Sequence, residues 1–108
     1  MDQSFLQDAL PAGHPARVCF GCGADNPQGL RIKSCMDNGT AVCRFRPEPH
    51  HTAFPGVLNG GIIATLLDCH GVWTAVGHVN TTSLAPEVTE PPTMFVTRRM
   101  IVDYLKPT

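Results

Sequence analysis

A chain of 108 residues, 43% hydrophobic and 16% charged, has the composition of one small folded domain with enough apolar surface for a single modest core. Its formal net charge of −1 comes without a basic stripe or an acidic run, which argues against a nucleic-acid partner and against a membrane surface. Residues 1–10 are polar and acid-bearing, unlike a leader, and the longest apolar run is broken by Asp68 and His70, so a cytoplasmic protein is expected.

Residues 1–16 read as a flexible or loosely docked arm on a single domain spanning 1–108. Cys19-Phe20-Gly21-Cys22 opens a turn-rich loop that runs to Gly29. With Cys35 and Cys43 this C-x-x-C could form a zinc site. However, the later pair has seven intervening residues where a zinc knuckle has about two to four, and both members fall in strand-like stretches. An odd total of five cysteines also argues against a disulfide framework, so reduced thiols are expected, with Cys69 in the core and no metal or cofactor assigned.

Leu30 to Met36 and Thr40 to Arg46 flank Asp37-Asn38-Gly39, a hairpin turn signal, and predict two antiparallel strands. A Pro-rich loop carrying His50-His51 follows, over Pro47 to Gly56; adjacent histidines there read first as exposed loop residues, with substrate contact or metal ligation as the sharper alternatives. Gly61 to Val76 predicts a helix apolar enough to be buried on most sides. Asn80 to Pro92 reads as an irregular connection, and Met94 to Leu105 as a long strand stopped by Pro107.

The helix carries one carboxylate, Asp68. An ionised acid among apolar side chains costs several kcal/mol unless something pairs with it or uses it. At about 100° per residue, Gly61, Ala64, Thr65, Gly71 and Ala75 share its stripe, which leaves room for a ligand or a second chain. The first turn, at Gly60 and Gly61, offers free N–H groups reinforced by the helix dipole, suited to a developing oxyanion. The plainer alternatives are that Asn59-Gly60-Gly61 is only a cap and turn, and that Asp68 is a structural carboxylate. His70 lies about 200° round the helix from Asp68 and is not expected to pair with it.

In combination, Cys19-Phe20-Gly21-Cys22-Gly23, Asn26-Pro27-x-Gly29-Leu30, the run Phe54-Pro55-Gly56-Val57-Leu58-Asn59-Gly60-Gly61 through Asp68, Thr97, and Asp103-Tyr104-Leu105-Lys106-Pro107 resemble the PaaI-type acyl-CoA thioesterases. The resemblance covers nearly the whole chain from Cys19. It implies an α+β hotdog fold, a curved antiparallel sheet wrapped around a central helix. Family members continue into further strands beyond the position of Lys106-Pro107, so this sheet is expected to lack its C-terminal strands.

The resemblance further implies Asp68 as general base or nucleophile, the Gly61 N–H as oxyanion donor, and Thr97 as the hydroxyl that positions water. Asn59 stands where many members have His, and its amide can still donate a hydrogen bond. Gly60, Thr65, His51 and Phe54 are the candidate substrate contacts. The expected substrate is an acyl-CoA, and the active site is expected to lie across the interface of a homodimer or homotetramer. A non-catalytic acyl- or CoA-binding module is the alternative, and an interaction domain with zinc on Cys19 and Cys22 a third reading. Hydratases of the same fold are disfavoured because no His shares the Asp68 stripe.

Overall fold

The computed structural model describes residues 4–80 and 92–108. Its architecture is α+β, with two small antiparallel sheets and one long helix. Strands β1 (Ser34–Asp37) and β2 (Thr40–Cys43) pair antiparallel with Ser34 opposite Cys43 and Asp37 opposite Thr40. Their link is the two-residue turn Asn38-Gly39, with φ of 51° and 82°, the left-handed pair that a tight hairpin requires and that Asn-Gly supplies at least cost. Both strands are shorter than the sequence pattern predicts: Leu30 to Lys33 and Arg44 to Arg46 lie outside the ladder.

The stretch expected to be a loop over Pro47 to Gly56 holds more order. A 3-10 turn at Pro49–His51 leads into β3 (Thr52–Phe54), which turns at Pro55-Gly56 and pairs with β4 (Val57–Leu58). Helix α1 (Gly60–Val79) follows, longer than predicted at both ends. Asn59 caps its start, and Asn80 closes its end by donating to Val76 O at 3.0 Å.

The core gathers Trp73, Val76 and Cys69 from α1, Ile32 and Cys22 from the segment before β1, and Leu6 and Leu10 from the N-terminal segment. This corrects the expectation of a loosely docked arm. A 3-10 turn at Leu6–Ala9 buries Leu6 and Leu10, each burial contributing about 1.5–3 kcal/mol relative to exposure. Gln7 is fixed as well: its Oε1 accepts from Ser34 N–H at 2.8 Å and its Nε2 donates to Ser34 Oγ at 3.4 Å. The same hydroxyl lies 2.9 Å from Nδ1 of the half-buried His70, so β1, α1 and the N-terminal segment meet in one polar chain.

Two further expectations are corrected. Met94 to Leu105 forms no strand, since the described residues offer it no neighbouring strand with which to pair. The segment instead lies antiparallel along α1, with Thr97 against Asp68, Tyr104 against Gly60, and Thr108 O accepting from Leu58 N–H at 2.6 Å. Nor is α1 buried on most sides: only Cys69, Trp73, Val76 and Gly77 are buried, while Leu67 is 52% exposed. By length and composition α1 could cross a membrane, a test that the core helix of a globular domain also passes. Most of the connection expected over Asn80 to Pro92 lies outside the described residues.

Candidate functional site

Asp68 sits half-buried near the middle of α1, and Thr97 Oγ1 donates a hydrogen bond to its Oδ1. Thr97 arrives on the segment that runs back along the helix, held at its two ends. At one end the Asn80 amide grips the Thr93 backbone, donating to O and accepting from N–H, both at 2.7 Å; at the other, Tyr104 OH donates to Gly60 O at 2.7 Å. Asp68 and Thr97 border a cavity of about 280 Å³ whose walls include Val72, Trp73, Met94 and Phe95. An acid and a hydroxyl on a recess that is mainly apolar can hold and deprotonate a water beside a bound apolar group.

The thiols of Cys19, Cys22 and Cys69 open on the same cavity. Their sulfurs all lie within 4.8 Å of one another. Cys19 follows the 3-10 turn Pro15–Val18, Cys22 lies in the tight loop after it, and Cys69 comes from α1. The approach depends on Gly21: a Cβ there would overlap Cys69 Sγ and stand 2.8 Å from Thr65 Cγ2. Trp73 Nε1 donates to Cys22 Sγ at 3.3 Å. Hydrogen bonds from Cys69, and from Trp73 and Cys19, bring the Cys22 thiol down to about 6 against the opposing effects of burial and the Asp68 charge. Cys69, the proton donor to Cys22 and itself buried, is pushed up.

The start of α1 is built differently. Asn59 Oδ1 accepts from the Gly61 N–H at 2.7 Å, so that donor is engaged by the cap, while the Gly60 N–H has no partner among the described residues. Thr65 Oγ1 turns back to donate to Gly61 O at 2.8 Å, and its methyl faces Gly21. Gly60 and Phe54, the latter 62% exposed, border a separate depression with Ile63 and Tyr104. His51 is tied into its own turn, accepting from Glu48 N–H at 2.9 Å with its ring 5.5 Å from that of Phe45.

The structure thus brings Asp68 and Thr97 together and leaves Asn59, Gly60, Gly61, Thr65, His51 and Phe54 off the walls of their cavity. At ~1.5 Å rise per residue, Gly61 and Asp68 stand about 10 Å apart along α1. His70 pairs with Ser34 and not with Asp68, and Ser34 is fully buried, which bars that Ser–His contact from nucleophilic work. Cys69 and Trp73 are among the cavity residues that sequence reasoning did not place in the site, as are Val72, Met94, Phe95 and Val96. The one available signal was a thiol next to Asp68 on a helix following a C-x-x-C, and how that loop docks is not encoded in local spacing.

No protein-family model matches this chain, and no match to it was found among curated proteins or among solved structures. The motif resemblance therefore stands on its residues alone.

Proposed function

We propose that this chain is an acyl-CoA thioesterase of the hotdog class. The observation that carries the reading is the Thr97–Asp68 hydrogen bond at an apolar cavity, which joins the two residues assigned to water activation from distant parts of the sequence. Asp68, as base, takes a proton from a water held beside Thr97 as the water oxygen attacks the thioester carbonyl; collapse of the tetrahedral oxyanion breaks the C–S bond, and the departing thiolate takes the proton from Asp68, giving carboxylic acid, free thiol and the regenerated carboxylate. Alternatively, the carboxylate itself attacks and water then hydrolyses the anhydride. A long helix packed against a β-hairpin supports the hotdog reading of the fold.

The ~10 Å between Gly61 and Asp68 is too long for one carbonyl and its attacking water to engage both, since reacting atoms approach to roughly 3 Å. In this reading the base of one chain works with the helix start of another, across the interface of a homodimer or homotetramer. Exposed Val96, Ile101 and Leu105, and the exposed Leu67 face of α1, give a second copy apolar surface to cover.

A non-catalytic acyl- or CoA-binding module is favoured by one observation, the engagement of the Gly61 N–H by Asn59. Turnover of a panel of acyl-CoAs separates the readings. Hydrolysis that Asp68→Asn abolishes supports the enzyme; saturable binding without turnover supports the module.

A further inference from the structure

We propose that Cys19, Cys22 and Cys69 form a zinc(II) site with three thiolate ligands and a fourth coordination position open to the adjoining cavity. The three sulfurs come from separate elements and still lie within 4.8 Å of one another. Tetrahedral zinc with Zn–S bonds of ~2.3 Å needs sulfurs roughly 3.8 Å apart, so closure by about 1 Å or less forms the site.

The surrounding backbone is built to hold that geometry. Gly23 N–H donates to Cys19 O at 2.9 Å and closes the loop over the cysteine pair. Leu30 N–H to Phe20 O at 2.8 Å and Ile32 N–H to Gly21 O at 2.9 Å tie the same loop to the chain leading into β1. Gly21, lacking a Cβ, lets the loop press against Cys69. The Trp73 indole supplies a hydrogen bond to the Cys22 sulfur, the kind of outer-shell contact that orients a metal-bound thiolate.

The donor set also selects the metal. Thiolates favour soft or borderline ions, and a three-ligand site beside a cavity is the arrangement in which zinc retains a water or takes a ligand. Cys35 and Cys43 lie one register position apart in the β1–β2 hairpin, with Cys35 opposite Val42 and Cys43 opposite Ser34, and neither belongs to the cluster, which removes the spacing objection that the sequence raised. Binding displaces the thiol protons to solvent.

The proposal does not depend on thioester hydrolysis, and its test uses no activity measurement. The full chain, reduced and freed of metal, is titrated with zinc chloride against a chromophoric chelator, and in parallel with cobalt(II), whose thiolate charge-transfer and tetrahedral bands report the ligand set. Expected are saturation at a single metal per chain, thiolate bands with cobalt, and a zinc-dependent rise in melting temperature. Cys19→Ser, Cys22→Ser and Cys69→Ser should each weaken binding by more than the roughly 10–100-fold that loss of an outer-shell partner costs. Cys35→Ser and Cys43→Ser should bind as the parent does. No zinc uptake by the folded, reduced parent overturns the site, as does binding that Cys69→Ser leaves intact or Cys35→Ser destroys. The parent alone decides the first point, so a variant that fails to fold does not shield the proposal.

Discussion

Thr97 donates its hydroxyl proton to Asp68 from 29 positions further along the chain. That contact fixes the orientation of the one carboxylate on α1 and leaves its other oxygen for a water. Asp68→Asn should retain the fold and lower acyl-CoA hydrolysis by at least the ~10²-fold typical of losing a general base. Thr97→Ser should keep most of the activity and Thr97→Val should not. Steady-state kcat/KM with circular dichroism alongside checks both; parental turnover in Asp68→Asn would remove the carboxylate from the mechanism.

Asn59 is a helix cap whose loss should register in stability before it registers in chemistry. Asn59→Ala should cost about 0.5–2 kcal/mol, and Asn59→Gly only a few tenths. The same Asn59→Ala change releases the Gly61 N–H, so kcat/KM on acyl-CoA should fall by less than the ~3 kcal/mol that loss of an aimed oxyanion donor costs. A loss of activity equal to that of Asp68→Asn in a folded Asn59→Ala protein would make the side-chain amide essential.

Gly21 is the closest approach of the cysteine loop to α1. Gly21→Ala forces its methyl into Cys69 and Thr65 and should destabilise the chain by about 1–3 kcal/mol, the usual cost of overpacking. Cys69→Ala removes the overlapping sulfur, so the double variant should recover part of that loss. A double-mutant cycle from urea unfolding measures the coupling, and strict additivity would disprove the contact.

Ser34 is fully buried and joins Gln7 to His70. Ser34→Ala leaves their side-chain groups without this shared hydroxyl and should cost about 1–3 kcal/mol. An unchanged denaturation midpoint would mean that water replaces the serine.

Arg17 holds Asp25 through two hydrogen bonds, at 2.7 Å and 3.1 Å, and lowers the carboxyl below its ordinary value. A carboxylate with a depressed folded-state pKa stabilises the fold fully above its unfolded value, and that contribution disappears as pH falls through the folded one. The acid branch of the parent stability curve should therefore be slightly steeper than that of Asp25→Asn, with the two running parallel near neutrality. The pair is surface-exposed, so added salt should shrink the difference.

Local chemistry made the hairpin and the helix legible. Asn38-Gly39 encodes a left-handed two-residue turn whatever surrounds it, and Asn59 before a long apolar run marks a helix start in the same way. The residues from Met94 to Leu105 have strand-like composition, but pairing needs a neighbour, and none adjoins them among the described residues. Their path along α1 is set by tertiary contacts at Thr97 and Tyr104 that no window of sequence contains. Asp68 stands out through its cost in an apolar segment, and Cys69 reads as a core side chain and is one; that its sulfur also meets those of Cys19 and Cys22 depends on how their loop docks.

Leu6, Gln7 and Leu10 give the chain's opening segment a role unlike that of an appendage. The motif resemblance begins at Cys19, which would invite trimming everything before it, yet Leu6 and Leu10 belong to the same packed cluster as Trp73 and Val76. A chain started at Cys19 would uncover that side of the helix to water and strip Ser34 of its Gln7 partner. Cuts made between Leu10 and Cys19 pull this plug out.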